Sequence, residues 1–121
     1  MTVLLVDDFV DALEVWEMFL TAAGFTVRTA TDGIAGLALA RSLRPDVIVM
    51  DLQMPGLSGT EVARALRADA ATRHIPLIAA TGHSRTRLSD ARAAGFDSIV
   101  VKPCDPDDLV AEIRRLVPAA G

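Results

Sequence analysis

Four short apolar runs punctuate this chain, and each closes on a polar side chain. Val3-Leu4-Leu5-Val6 runs into Asp7-Asp8, Val47-Ile48-Val49-Met50 into Asp51, Leu77-Ile78-Ala79-Ala80 into Thr81, and Ile99-Val100-Val101 into Lys102. The runs lack period-two alternation and are rich in β-branched residues, the pattern of strands buried on both faces. The segments between them carry helical spacing instead. Ala12, Val15, Trp16, Phe19 and Ala23 recur at three- and four-residue steps, which predicts an amphipathic helix with that apolar face, stopped by Gly24.

Phe25 to Ala30 predicts a second strand, interrupted by Arg28 and two threonines and therefore suited to the sheet margin. Gly33 to Leu43 predicts a helix with Ile34, Leu37, Ala38 and Ala40 on its apolar positions, closed by Pro45 because the residue before a proline avoids the α region. Pro55-Gly56-Leu57-Ser58-Gly59 supplies turn chemistry before a helix over 60–68, and Pro76 opens the next strand. Arg85 to Ala94 carries weak helical patterning that ends at Gly95. In the last helix Asp105 is the N-cap, Pro106 the first helical residue, Asp107 and Asp108 complete an acidic first turn, and Leu109, Ile113, Leu116 and Val117 form the buried face. Five βα units joined by right-handed crossovers predict an α/β fold, flavodoxin-like and doubly wound, with a five-stranded parallel sheet in order 2-1-3-4-5 and helices on both faces.

Composition narrows the class. The chain has 121 residues, 51% hydrophobic and 23% charged, without a low-complexity block, which fits one globular domain over residues 1–121 with no output domain. Net charge is −4 and the arginines are scattered, so the basic footprint of nucleic-acid binding is missing. Met1 leads straight into a strand-like run, too short for a signal peptide, and no apolar stretch reaches membrane-spanning length, so a cytoplasmic protein is expected. Cys104 is the sole cysteine and reads as a loop thiol, which excludes an internal disulfide and a cysteine metal cluster. His74 reads as surface structure, and Trp16 as core packing.

In a parallel sheet the polar ends of the runs gather at the carboxyl edge, where open α/β sheets bind ligands. Each has a bland reading beside a chemical one. Asp7-Asp8 can cap the first helix, or hold a divalent cation that relieves the repulsion between adjacent carboxylates. Magnesium, which takes oxygen ligands and keeps several waters, suits that inventory. Asp51 can close a turn, or stand exposed as a nucleophile that forms an aspartyl-phosphate beside a loop rich in glycine. Thr81 can satisfy nearby backbone or donate to a phosphoryl oxygen, with Gly82 leaving the approach open. Lys102, the sole lysine among 12 basic residues, can snorkel, or offset the carboxylates and stabilise a transferring phosphoryl group. Phosphoryl transfer needs little beyond such positioning and charge. No histidine, serine or cysteine stands where a general base for hydrolysis would be needed, which predicts a persistent modified state; His83, two residues past Thr81, reads either as a residue that orients a water or as a solvated loop histidine. The Lys102-Pro103 bond is open to either isomer.

Taken in order, Val3 to Asp8, Asp51-Leu52-Gln53-Met54-Pro55-Gly56 with Gly59, Thr81 and Lys102-Pro103 resemble a response-regulator receiver domain (CheY-like), the phosphoacceptor module of bacterial two-component signalling. The resemblance spans essentially the whole chain. It implies that Asp51 takes a phosphoryl group from a histidine kinase or a histidine phosphotransfer protein. Asp8 and Asp51 would ligate Mg2+ directly and Asp7 through water, the backbone carbonyl of Gln53 would complete the protein's share, and Mn2+ could substitute. Thr81 and Lys102 would contact the phosphoryl oxygens. The resemblance further implies a switch acting on an unidentified protein target, a monomer or phosphorylation-dependent dimer without nucleic-acid or membrane partners, and no chemistry beyond its own phosphorylation and dephosphorylation.

One position departs from the family pattern. Where an aromatic residue normally swings inward, three residues before Lys102, this chain has Ile99, and it contains no tyrosine. A β-branched side chain has few rotamers to offer such a swing, so the response is expected mainly in the Gly82 to Ala94 segment. Other readings compete with the switch. One is a degenerate receiver that binds partners without phosphorylation. Another is a magnesium-dependent aspartate-nucleophile phosphatase, which would want a second acid where Gln53 stands. A flavin or nucleotide module would want a phosphate-cradling loop where Asp7-Asp8 lie.

Overall fold

The computed structural model describes residues 1–54, 56–82, 88–102 and 104–117. The expectations placed on Pro55, His83, residues 85–87 and the Lys102-Pro103 bond lie outside them. Strands and helices alternate along the chain as β1 (Thr2–Val6), α1 (Val10–Ala22), β2 (Thr26–Ala30), α2 (Gly33–Leu43), β3 (Val47–Asp51), α3 (Gly59–Ala68), β4 (Leu77–Thr81), α4 (Leu88–Ala94), β5 (Ser98–Val101) and α5 (Pro106–Leu116). The sheet is parallel throughout, in the order β2-β1-β3-β4-β5. The interrupted strand β2 does occupy a margin.

Register sorts the strand residues into two layers. Leu5 lies beside Val49, Val49 beside Ile78, and Ile78 beside Ser98. Val3, Leu5, Val47, Val49, Ile78 and Ala80 pack with Leu13, Trp16 and Leu20 of α1 and with Leu109 and Ile113 of α5. Their neighbours Leu4, Val6, Ile48, Met50, Leu77 and Ala79 face the opposite way, onto residues of α2, α3 and α4 such as Ala40, Val62, Leu66 and Ala91. Period-two side-chain direction thus converts three uniformly apolar strands into two separate cores.

Helix ends follow the local chemistry. Gly24 after α1 adopts φ +100°, a left-handed conformation that glycine reaches without steric cost. At the end of α2 Arg44 itself is left-handed, φ 48°, because Pro45 bars it from the helical region. Asp105 caps α5, accepting from the Asp107 N–H, and Pro106 follows it. Ser58, within the turn sequence before α3, does more than turn the chain. It is the N-cap, its Oγ accepting from the Glu61 N–H while its own N–H donates to Glu61 Oε1, a reciprocal capping box.

Several faces differ from the spacing-based expectation. Helix α1 buries Leu13, Trp16 and Leu20, while Val15 and Phe19 stay about half exposed. That helix is apolar almost all round, so several stripes fit a helical period, and only packing on the sheet selects one. Ile34 in α2 is exposed, and the buried positions are Gly33, Gly36 and Ala40, small enough to bring the helix close to β1. On α5, Leu109 and Ile113 are buried and Leu116 and Val117 only partly so. Strand β5 is the second margin, with Val101 exposed, so its apolar run is not covered on both faces.

Candidate functional site

The layer rule carries past the strand ends. Asp7 lies two residues beyond Leu5, Asp51 two beyond Val49, and Lys102 two beyond Val100, and all three precursors belong to the core beneath α1 and α5. Continuing the alternation brings these three charged groups together at the carboxyl edge of that layer. Lys102 Nζ donates to the Asp7 carboxylate and lies 3.3 Å from Asp51 Oδ2. The Asp7 side chain is 5% exposed, that of Asp51 16% and that of Lys102 20%. Thr81 follows Ala79 and belongs by the same count to the other layer. It is buried, and its carbonyl accepts the Lys102 N–H at 2.7 Å.

Backbone hydrogen bonds fix the carboxylates. The Asp7 N–H donates to the Ala30 carbonyl at 3.1 Å, and Asp7 Oδ1 accepts from the Phe9 N–H at 2.9 Å. One Asp7 oxygen therefore holds the backbone leading into α1, though not as its N-cap, and the other meets Lys102. The residue at the N-cap itself is Phe9, which has no side-chain capping bond. Asp51 Oδ1 accepts from the Gln53 N–H at 3.1 Å, leaving Oδ2 towards Lys102. Below the loop, the Gly59 N–H donates to the Leu52 carbonyl, and a Cβ on Gly59 would stand 2.1 Å from the Asp51 carbonyl oxygen. The close approach this glycine permits is of one backbone segment to another. Among the described residues, a Cβ built at Gly82 would meet nothing within 4 Å.

Asp7, Asp8 and Asp51 each offer a carboxylate oxygen, and these oxygens all lie within 4.8 Å of one another. One ammonium faces three carboxylates, so the cluster retains an excess of negative charge. Burial works against the charge on Lys102, but the hydrogen bonds and attraction from Asp7 and Asp51 outweigh it and hold its pKa above the ordinary lysine value. An all-oxygen donor set with one exposed member, Asp8, matches a hard, partly hydrated cation such as Mg2+.

Every site residue read from the sequence thus falls at the carboxyl edge of the sheet. One neighbour was assigned only to the core. Lys102 Nζ lies over the Trp16 ring, 5.9 Å from its centroid. Both residues line a cleft of about 480 Å3 shared with Phe9, Asp11, Ala12, Val15 and Cys104. Leu13, Trp16 and Leu20 share one helical stripe, and that stripe packs on the layer that ends in Lys102. Register could therefore have revealed the pair, whereas spacing within α1 could not. His74 is exposed, as expected.

The model of the family described as the response regulator receiver domain matches residues 3–114. Among relatives, the chain is 37% identical over 115 residues to the response regulator PleD of Caulobacter vibrioides, covering 94% of this chain and 25% of that protein. It is 39% identical over 122 residues to the transcriptional regulatory protein PrrA of Mycobacterium tuberculosis, covering 98% of this chain and 51% of that one. The chain therefore spans a quarter to a half of the length of these relatives. Among solved structures, the chemotaxis response regulator CheY4 of Vibrio cholerae superposes with a TM-score of 0.89 at 32% identity, covering 95% of this chain and 97% of that one. The receiver domain of sensor histidine kinase PA1611 of Pseudomonas aeruginosa, with a magnesium ion coordinated in its active site cleft, gives a TM-score of 0.90 at 29% identity, covering 98% of each.

Proposed function

The chain belongs to the response regulator receiver domain family of two-component signalling, and from that premise we propose that it is a phosphoacceptor switch whose acceptor is Asp51. The observation that carries this reading is the pairing of Asp51 Oδ2 with Lys102 Nζ at 3.3 Å inside a cluster of three carboxylates. A phosphorylation switch is the general role of the family. Asp51 Oδ2 would attack the phosphorus of a histidine kinase or histidine phosphotransfer protein, forming the O–P bond as the N–P bond to the donor imidazole breaks and its nitrogen keeps the electron pair.

The residues divide the remaining work. Lys102, already charged and held between Asp7 and Asp51, would follow the transferring oxygens as a point charge without reorganising. Thr81 would donate its hydroxyl to one of those oxygens from the opposite layer. Asp7, Asp8, Asp51 and the carbonyl of Gln53 would hold Mg2+, or Mn2+ in its place, which when bound neutralises phosphoryl charge. The donor hydrogen bond from Gln53 to Asp51 Oδ1 keeps the carboxylate from rotating. Gln53, standing where an aspartate-nucleophile phosphatase would want a second acid, weakens that reading and supports a signalling role in which the modified surface would be read by a downstream protein.

Among the described residues no helix is long and apolar enough to cross a membrane. The test is intact mass after incubation with phosphoramidate, with Mg2+ and with chelator. The proposal requires one phosphoryl adduct on wild type in Mg2+ and none on Asp51→Asn. An adduct on both proteins, or on neither, overturns it.

A further inference from the structure

We propose that Trp16 is a positioning residue for Lys102, its indole face confining the ammonium to the arc between Asp7 and Asp51. This rests on the phosphoacceptor reading of Asp51 and adds a residue to it. Lysine carries a flexible four-carbon stem and makes no planar, forked contact, so its reach does not define where its charge sits. Two carboxylates pair with Nζ. Its third neighbour is the Trp16 ring, over which Nζ lies 5.9 Å from the centroid, within the range at which the negative face of an aromatic ring attracts a cation.

The ring is itself held firmly. Trp16 is 8% exposed and packs in the core formed by α1, α5 and the alternate strand residues, the same layer from which Lys102 emerges. Beside the pair lies the cleft of about 480 Å3, which both residues line. Removing the indole would merge its volume with the cleft, giving the ammonium a second place to go, away from Asp51.

The experiment compares the rate of Asp51 phosphorylation by phosphoramidate in Mg2+ for wild type, Trp16→Phe and Trp16→Leu, each also in a Lys102→Met background. Trp16→Leu should be about tenfold slower, equivalent to about 1.4 kcal/mol, and Trp16→Phe, which keeps a ring face, about two- to threefold slower. In the Lys102→Met background, where there is no charge to position, neither change should slow the residual rate further. Equal slowing in both backgrounds would mean that Trp16 acts only through packing, and no slowing in either would mean that it does not act at all; both overturn the proposal. A second readout needs no phosphoryl transfer. Trp16 is the sole tryptophan, so loss of the nearby charge in Lys102→Met should shift the emission maximum of the unphosphorylated protein, and an unchanged spectrum overturns the contact even if Trp16→Leu does not fold. Wild type that takes no adduct while the emission shifts would count against Asp51 as acceptor and leave the Trp16–Lys102 pair standing.

Discussion

Gly59 is packed against the backbone of Asp51, so closely that any side chain at position 59 would begin 2.1 Å from the Asp51 carbonyl oxygen. The start of α3 and the end of β3 are thereby seated on each other, with the Gly59 N–H donating to Leu52 at 3.0 Å. Gly59→Ala should cost about 3 kcal/mol, at the upper end of overpacking changes, because the obstructing atom is backbone and cannot rotate away. Gly82→Ala, where a Cβ meets nothing within 4 Å, should stay within about 0.5 kcal/mol of wild type. Urea unfolding of the two variants checks the contrast, and equal stabilities would contradict the packing described here.

Lys102 neutralises a buried carboxylate as well as serving the proposed chemistry. Lys102→Met should destabilise the metal-free protein by about 2–3 kcal/mol, less than the ~3–5 kcal/mol of a fully buried broken pair because part of the lysine reaches solvent. Added Mg2+ should recover more stability in the variant than in wild type, since the ammonium no longer competes for Asp7 and Asp51. Thermal unfolding with and without Mg2+ measures both effects, and an equal rise in Tm for the two proteins would contradict the second.

On the far side of the sheet edge, Ser98 Oγ donates to Glu112 Oε1 at 2.7 Å, tying β5 to α5. The Arg115 guanidinium, which also bonds Glu112, is the main reason that carboxyl sits below its ordinary pKa; burial opposes the shift and Ser98 adds to it. A depressed folded-state pKa contributes stability that is present above the unfolded carboxylate value and lost as pH falls through the folded one. Ser98→Ala should therefore cost about 1 kcal/mol at pH 7, with the gap to wild type narrowing in acid below the ordinary glutamate range. Urea unfolding at several pH values reads this, and a gap that is constant or widens in acid would refute it.

Ile99 is partly buried and packs against the core shared with α3 and α4. With no aromatic side chain there to change places, phosphorylation should alter the amide exchange of residues 88–94 in α4 by more than that of β5. Exchange with and without a phosphoryl mimic measures it. A change confined to β5 would place the response in the strand instead.

The fold was legible because four of the five strands run into a polar side chain, the exception being β2, which ends at Ala30. Asp7, Asp51, Thr81 and Lys102 marked four strand ends as well as a site, and one reading supported the other. What spacing could not resolve was direction. Helix α1 offers apolar residues on nearly every side, and the choice of Leu13, Trp16 and Leu20 over Val15 and Phe19 is made by the sheet it lands on. The stitching between elements was equally out of reach. Arg67 donates to the carbonyls of Gly95, Arg73 and Ile75 and to the Asp97 carboxylate, holding α3 to the loops on either side of it in space. Nothing in the residues around an isolated arginine announces such a set of partners, because they come from segments that only the folded topology brings near.

The two layers of this sheet give the arrangement a directional character. Asp7, Asp51 and Lys102 belong to the storey under α1 and α5, and Thr81 to the storey that also houses α4. A covalent event on Asp51 would thus be written on one floor, and Thr81, through the proposed contact with the phosphoryl group, would carry it to the other.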